Sequence, residues 1–289
     1  AGSACGKNLS KETVGVLGEQ KQTNYALRSD MTKEEFVKEV LDGIPPPPQY
    51  FAKNAMMNKS GYETFETVLK KGNIPLDVDD FEAIANHESA LVLDVRHQDE
   101  FVKEHIPNSI FIGLEGGFAP WVGALITDLK QPILLVTPTG KEKETITRLS
   151  RVGYDHTLGY LEGGIQAWKD AGKDIETLDS ISAKELAKRV KEHKLNILDV
   201  RKEGEFQSKH LEGDHVKNFP LDYINENMTQ IDKNKAYYVH CAGGYRSVIA
   251  ASILKARGFN QLVNIEGGFD ELKNTGIPIS NYVCPTTLK

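Results

Sequence analysis

The sequence is poor in features that would each define a class of protein. It has only three cysteines among 289 residues, and the odd number and wide spacing of Cys5, Cys241 and Cys284 do not support a disulfide framework. We therefore expect a reducing, cytoplasmic location. No apolar run approaches the length of a membrane span, so we expect no membrane partner.

Basic residues are also fewer than acidic residues. The chain has 35 lysines and arginines against 41 aspartates and glutamates, a net charge of −6, and it has no basic tract. A nucleic-acid partner is therefore not expected, and a small anion would have to be attracted by a local field. The chain begins without Met and without an apolar targeting segment, from which we expect that it was cut from a longer protein.

What the sequence does contain is a repeat about as long as a domain. Leu-Asp-Val-Arg at 93–96 returns at 198–201, Glu-Phe at 100–101 returns at 205–206, and Glu-Gly-Gly at 162–164 returns at 266–268. The period of roughly 100 residues is that of a duplicated domain rather than of a solenoid unit. We assign residues 1–75 to a leader, 76–178 to the first repeat and 179–289 to the second repeat.

Short apolar strands alternate with helical patterns in each repeat. In the second repeat we predict helices over 182–193, 203–209, 244–257 and 268–274, and strands at 197–200, ending at 239–240, and at 262–265. This alternation predicts an α/β fold in which each repeat is a parallel sheet with helices on both faces. Ligands of such folds bind beyond the carboxyl ends of the strands.

The leader carries none of the repeated motifs. Thr32 and Glu35 form a capping box that predicts a helix through Leu41, and four prolines at 45–48 stiffen the chain that follows. The leader is either the tail of a removed domain or an extension that packs on the first repeat. The abrupt start of the chain favours the removed domain.

The segment 241–247, Cys-Ala-Gly-Gly-Tyr-Arg-Ser, follows a predicted strand and opens a predicted helix. Its glycines allow a close turn, so that the backbone amides of 242–247 would surround the Cys241 sulfur and favour its thiolate and a persulfide. Arg246 adds a planar cation that would bind the anionic part of a donor. We expect Cys241 and Arg246 to be catalytic. The expected substrate-binding loop consists of Ala242, Gly243, Gly244, Tyr245 and Ser247, with Tyr245 shaping the entrance and Ser247 capping the helix and donating to the persulfide.

The spacing within this loop distinguishes two kinds of chemistry. Four residues separate Cys241 from Arg246, whereas cysteine-dependent phosphatases need a longer loop to wrap a phosphoryl group. The smaller ring favours sulfur transfer, in which a thiolate takes the outer sulfur of a donor and passes it to an acceptor. Two alternatives stay open: a non-catalytic docking and redox-sensing module, and a phosphatase or arsenate-type reductase.

Taken together, Leu-Asp-Val-Arg, Glu-Phe, His-Ile or His-Leu, Cys-x-x-Gly-x-Arg-Ser and Glu-Gly-Gly resemble the motifs of rhodanese sulfurtransferases. The resemblance extends twice over roughly residues 76–280. It implies two rhodanese-like domains that act in sulfide metabolism on small anionic donors, such as thiosulfate or a persulfide, and on thiol or cyanide acceptors. The oligomeric state, including a homo-oligomer, stays open.

The leader resembles the C-terminal end of the metallo-β-lactamase-type domain found in persulfide dioxygenase–rhodanese fusion proteins. The similar segments are 2–8, 24–28 and 56–62. The resemblance implies that the iron-binding part of such a protein lies outside this chain. No His-x-His-x-Asp-His run occurs among its eight histidines, so we expect no metal and no cofactor in this chain.

The first repeat departs from the pattern at the loop. Aligning 133–136 with 237–240 places Thr137 opposite Cys241 and Glu142 opposite Arg246. With the nucleophile replaced and the charge reversed, we expect the first repeat to be inactive in sulfur transfer and to serve as packing, spacer or docking surface.

Residues outside the loop admit a structural interpretation. Asp94, Arg96, Asp199 and Arg201 occur in both repeats, so we expect each Asp to hold turn amides and each Arg to pair with Glu100 or Glu205. For the same reason we expect His105 and His210 to be buried and hydrogen-bonded. Strand alternation points His240 away from Cys241, which disfavours a role as catalytic base. Cys284 is either an incidental thiol of the tail or a thiol that resolves a Cys241 persulfide.

Overall fold

The computed structural model describes residues 14–24, 27–41 and 50–283, and the chain divides into two units, 1–48 (with residue 289) and 49–288. In the first unit, helix α1 spans Leu17–Thr23 and α2 spans Lys33–Leu41. The predicted capping box is confirmed. The Thr32 N–H donates to Glu35 Oε2 at 2.8 Å, and the Glu35 N–H donates to Thr32 Oγ1 at 3.2 Å. The prolines at 45–48, Cys5 and Cys284 lie outside the described residues.

The second unit begins with two helices that precede the first sheet, α3 (Phe51–Ser60) and α4 (Phe65–Gly72). Helix α4 begins after Thr64, whose side chain accepts the Thr67 N–H. Val68 of this helix is 1% exposed and belongs to the core that also contains Ile146 of the first repeat. The last part of the predicted leader therefore packs on the first repeat.

The first repeat folds as a sheet of five parallel strands in the order β1-β5-β4-β2-β3. Helices connect the strands along the chain, as the alternating pattern predicts. The elements in chain order are β1 Pro75–Leu76, α5 Val78–His87, β2 Leu91–Asp94, α6 Gln98–Lys103, β3 Ile110–Phe111, α7 Phe118–Leu125, β4 Ile133–Val136, α8 Glu142–Ser150, β5 Thr157–Leu161 and α9 Gly164–Asp170.

The second repeat forms another sheet of five parallel strands, β6-β10-β9-β7-β8. This order matches that of the first sheet strand for strand, as expected of a duplicated domain. The elements are β6 Asp179–Ser182, α10 Ala183–Glu192, β7 Asn196–Asp199, α11 Glu203–Ser208, β8 Val216–Asn218, α12 Ile224–Asn227 flanked by 3₁₀ turns at Leu221–Tyr223 and Met228–Gln230, β9 Tyr237–His240, α13 Tyr245–Ala256, β10 Leu262–Glu266 and α14 Gly268–Leu272. The predicted α/β fold with two parallel sheets is confirmed.

One hydrophobic cluster spans both repeats, and each repeat also has a cluster of its own. A single cluster of buried side chains includes Phe111 and Leu135 of the first repeat and Val239 and Ile249 of the second. Helix α13 is mainly apolar and is buried over two consecutive turns, which is typical of a helix that is covered all round. The side chains from Ser247 to Leu254 are buried, and the Phe111 N–H of β3 donates to Ser252 Oγ of α13 at 3.0 Å.

Within the described ranges, no helix is both long and apolar enough to cross a membrane.

Candidate active site

Cys241 lies at the carboxyl end of β9, at the position where parallel sheets bind ligands. The residue is 1% exposed, and the Gly244 N–H donates to its Sγ at 3.1 Å. Gly244 has a φ of +106°, a left-handed conformation that favours glycine. The predicted glycine turn therefore brings a backbone amide to the sulfur. Gly243 and Ala242 complete the turn, with Gly243 exposed and Ala242 half-buried.

A buried polar chain lies beneath the sulfur. The Cys241 thiol donates to Ser247 Oγ at 3.7 Å, and Ser247 Oγ lies 2.7 Å from Asn264 Oδ1 and 2.9 Å from the Gly244 carbonyl oxygen. Asn264 Nδ2 in turn donates to Ser180 Oγ at 3.3 Å. Because the Ser247 hydroxyl has one proton and can rotate, it can accept from a thiol or donate to a thiolate.

Two residues of this hydrogen-bonded series, Ser247 and Asn264, differ from what the sequence predicts. Gly244, rather than Ser247, is the N-cap of α13, so the prediction that Ser247 caps the helix is wrong; its hydroxyl lies inside the first turn. Asn264 was not predicted as a site residue. Its one signal in the sequence is a polar side chain between the apolar residues Val263 and Ile265 of β10, and it is 4% exposed.

Arg246 forms a bidentate ion pair with Glu205 of α11. Nη1 donates to Glu205 Oε2 at 2.7 Å and Nη2 donates to Oε1 at 2.9 Å. Burial raises the pKa of the Glu205 carboxyl, but the hydrogen bonds and charge of Arg246, together with the Lys202 N–H and the charge of Arg201, outweigh burial and hold that pKa below its usual value. The hydrogen bond to Glu205 also raises the pKa of Arg246, and the nearby Cys241 adds to this effect.

The aspartate–arginine pairs of both repeats are structural. Arg201 Nη2 lies 2.6 Å from Asp199 Oδ2, and Arg96 Nη2 lies 2.6 Å from Asp94 Oδ2, with all four residues buried. The prediction that these arginines pair with the glutamates of the Glu-Phe motifs is therefore wrong, because each arginine folds back onto the aspartate two residues before it. Each aspartate also accepts the backbone N–H of its arginine at 3.1 Å, as expected of a group that holds a turn.

The histidines of the repeated His-Ile and His-Leu motifs are held by hydrogen bonds to helix carbonyl oxygens. Nδ1 of His105 and Nδ1 of His210 each lie 2.7 Å from a helix carbonyl oxygen, that of Phe101 and that of Phe206. Each imidazole also stacks on the phenylalanine ring of the same residue. His105 is buried, as expected, and His210 is half-buried.

The His240 side chain contacts the backbone of Cys241 and approaches Asp199. Its Nδ1 is 3.2 Å from the Cys241 carbonyl oxygen and its Nε2 is 3.7 Å from Asp199 Oδ2. The imidazole is fully buried, and Nε2 has no hydrogen-bond partner among the described residues. Burial lowers the pKa of His240, although Asp199 opposes this effect.

Tyr245 turns towards the first repeat. Its hydroxyl donates to the Gly113 carbonyl oxygen at 2.8 Å, and its ring packs edge-on against Phe111 with the centroids 5.8 Å apart. A Cβ added at Gly116 would lie 2.2 Å from this ring. Tyr245 was predicted to shape the entrance of the loop, and the contacts observed here instead attach the loop to the first repeat.

The Glu-Gly-Gly motif fixes the carbonyl oxygens of the loop. The Phe269 N–H donates to the Cys241 carbonyl oxygen at 2.7 Å, and the Asp270 N–H donates to that of Ala242 at 3.0 Å. A Cβ at Gly268 would lie 2.5 Å from the Cys241 carbonyl oxygen, so a glycine is required at this approach. The repeated motif therefore orients the loop backbone without contacting the sulfur.

In the corresponding loop of the first repeat, the Glu142 side chain binds a backbone amide of the loop itself. The Gly140 N–H, the counterpart of the Gly244 N–H, donates to Glu142 Oε1 at 3.0 Å, and Thr137 Oγ1 lies 3.3 Å from the same oxygen. Lys143 and Tyr160 stand where the second repeat has Ser247 and Asn264. A carboxylate thus takes the hydrogen bond that the cysteine sulfur receives in the second repeat.

Comparison with known proteins agrees with this duplication. The model of the rhodanese-like domain family matches residues 77–171 and again residues 182–275. The putative sulfur carrier protein YrkF of Bacillus subtilis is 29% identical over 99 residues, which are 34% of this chain and 52% of that protein. The uncharacterized protein YqhL of the same organism is 33% identical over 76 residues, 26% of this chain and 59% of that protein. The chain thus spans little more than half the length of these curated relatives.

Among solved structures, the crystal structure of a rhodanese-like domain protein from Staphylococcus aureus is 34% identical. The match covers 36% of this chain and 100% of the other, with a TM-score of 0.33.

Proposed function

The chain belongs to the rhodanese-like domain family, and from this premise we propose that it is a sulfurtransferase of sulfide metabolism that works through a persulfide on Cys241. The proposal is supported chiefly by the 3.1 Å contact from the Gly244 N–H to the Cys241 sulfur at the end of β9. We further propose that the donors are small sulfane compounds, that the acceptors are thiols or cyanide, and that the protein works in a reducing cytoplasm.

In the first half-reaction, the Cys241 thiolate attacks the outer sulfur of the donor. A sulfur–sulfur bond forms on Cys241 as the donor's own sulfur–sulfur bond breaks, and the electron pair leaves with sulfite or with a thiolate that then takes up a proton. The negative charge now lies on the terminal sulfur of the Cys241 persulfide. The backbone amide of Gly244 and the rotatable Ser247 hydroxyl are the groups that we propose stabilise it.

In the second half-reaction, an acceptor thiolate or cyanide attacks the terminal sulfur. The bond to Cys241 breaks, its electron pair returns to Cys241 as a thiolate, and the acceptor leaves as a persulfide or as thiocyanate. Oxidation states balance between donor and acceptor, so the cycle needs neither a redox cofactor nor a metal ion.

The proposal is tested by Cys241→Ser, with Cys5→Ser as the matched control. We expect Cys241→Ser to lower the rate of sulfur transfer by about 10³-fold or more, since loss of a nucleophile removes the covalent route. Intact-mass spectrometry should find one added sulfur after donor treatment of the wild type and of Cys5→Ser, but not of Cys241→Ser. Sulfur transfer that survives in Cys241→Ser would refute the proposal.

Two further results would favour the alternatives. Sulfur loading of Cys241 without turnover on any acceptor would favour a redox-sensing module. Hydrolysis of a phosphate ester that depends on Cys241 would favour a phosphatase, a function that the short loop argues against.

A further inference from the structure

We infer that Glu205 determines donor specificity: by engaging both terminal nitrogens of Arg246, it makes the site favour a singly charged persulfide over the dianion thiosulfate. This inference rests on the proposed sulfur transfer and names its donor class. Glu205 acts through Arg246 and is a positioning residue rather than a catalytic one.

The first observation is the geometry of the ion pair. The two hydrogen bonds of 2.7 and 2.9 Å use the fork of donors with which an arginine recognises an oxyanion. The side chains of Arg246 and Glu205 are 18% and 38% exposed. The guanidinium therefore already binds a carboxylate at the place where a free arginine would offer its donors to the substrate.

The second observation is that Glu205 is itself held in place. It lies in the first turn of α11, where its Oε2 also accepts the Lys202 N–H at 3.1 Å. Three N–H groups thus bind its two oxygens. Displacing Glu205 from Arg246 would cost the ion pair while the helix start still holds the carboxylate nearby.

The charge of the donor then determines which donor the site favours. Thiosulfate has two negative charges, and its leaving group is the dianion sulfite. To bind, thiosulfate must either separate Arg246 from Glu205 or approach the negatively charged Glu205 carboxylate, whose lowered pKa keeps it ionised. A persulfide places one charge on the sulfur to be transferred, and its leaving group is a thiolate that becomes a neutral thiol when it takes up a proton. The Gly244 amide and the Ser247 hydroxyl suit this single charge without help from the arginine.

The test is Glu205→Gln, with Glu203→Gln as the matched control. Both changes remove one negative charge from the first turn of α11, but Glu203 accepts from Gln207 Nε2 and is exposed. The glutamine at 205 retains an oxygen that can accept the Lys202 N–H, so we expect the helix start to persist. The values of kcat/KM are measured with thiosulfate and with cysteine persulfide, using one acceptor.

We expect the wild type to favour cysteine persulfide. In Glu205→Gln the ratio of kcat/KM for thiosulfate to that for persulfide should rise about tenfold, mainly through a lower KM for thiosulfate. Glu203→Gln should change this ratio less than about twofold. If the wild type favours thiosulfate, or if Glu205→Gln changes both donors in parallel, the inference is wrong while the proposed sulfur transfer stands.

A second measurement does not depend on turnover. Cys241 is alkylated with anionic iodoacetate and with neutral iodoacetamide, and its modified peptide is followed by mass spectrometry. We expect Glu205→Gln to raise the rate ratio of iodoacetate to iodoacetamide several-fold, because an uncharged partner leaves the positive charge of Arg246 uncompensated. An unchanged ratio would overturn the inference, even if the protein transferred sulfur from neither donor and the proposed function had failed.

Discussion

At the scale of single residues, the buried polar groups around Cys241 differ in what they contact. Ser247 contacts the sulfur, whereas His240 contacts the carbonyl oxygen of Cys241 and approaches Asp199. The first repeat has Val136 where the second has His240, so the fold itself does not require an imidazole at this place. A neutral imidazole is accommodated here, but a protonated one would place a charge in the core.

His240→Val should make the free energy of unfolding less dependent on pH below about 6.5. Burial lowers the pKa of His240 in the folded protein, so the unfolded chain binds the proton first as pH falls below the ordinary value of about 6.5. The free energy of unfolding is therefore fully retained above that pH and falls below it, by at most about 1.4 kcal/mol per pH unit from this residue.

Urea unfolding of the wild type and of His240→Val across this range measures the difference. We expect the two curves of unfolding free energy against pH to diverge below about pH 6.5. A residual slope should remain in the variant, because burial also lowers the pKa of His105. Parallel curves would mean that His240 does not titrate in this way.

At the scale of elements, the first repeat supports the helix that follows the Cys241 loop. Strand β3 donates through Phe111 to Ser252 of α13, and the segment after β3 accepts from the Tyr245 hydroxyl. Helix α13 therefore packs on the first repeat at both of these contacts. Packing on α13 is one of the roles that the altered loop of the first repeat leads us to expect.

Gly116→Ala should disturb the active loop from the neighbouring repeat. The added Cβ would lie 2.2 Å from the Tyr245 ring, so the ring must move and its hydrogen bond to Gly113 is lost. We expect sulfur transfer to fall about tenfold, since a small displacement of a reacting group is costly. Gly204→Ala is the control, because a Cβ there meets no atom within 4 Å. Equal rates in the two variants would show that the loop does not depend on this contact.

What the sequence predicts at this scale follows from how far each interaction reaches along the chain. The strand and helix patterns and the glycine turn around Cys241 are local, and their predictions agree with the structure to within a few residues. The pairing of Arg246 with Glu205 joins α13 to α11, and Tyr245 contacts the other repeat, so both depend on packing that no local pattern specifies. Asn264 contacts Ser247 only because β10 lies beside β9.

At the scale of the whole molecule, the duplicated domains differ in their loops but share one of their hydrophobic clusters. The first loop binds the carboxylate of Glu142 where the second binds the Cys241 sulfur, while one hydrophobic cluster contains core residues of both repeats. The surface that covers α13 is thus retained in a repeat whose own loop is closed. We therefore expect residues 49–288 to unfold as one cooperative unit.

Tryptophan fluorescence and hydrogen exchange follow different repeats, so together they can measure whether the repeats unfold as one unit. Both tryptophans, Trp121 and Trp168, lie in the first repeat, so tryptophan fluorescence reports on that repeat. Pulsed hydrogen exchange of peptides from β9 and α13 reports on the second repeat. Under a urea gradient, we expect the two signals to change with the same midpoint, because unfolding the first repeat exposes the apolar surface of α13.

Leu135→Ala is the decisive variant for this coupling. Leu135 is fully buried in β4 of the first repeat, so its truncation should lower the free energy of unfolding by about 2–5 kcal/mol. Because Leu135 lies in the cluster that spans both repeats, the midpoints of fluorescence and of exchange in β9 and α13 should fall together, although no atom of the second repeat has been changed. A second-repeat midpoint that stays at its wild-type value would show that the repeats unfold independently, and that the first repeat does not stabilise the helix carrying the Cys241 loop.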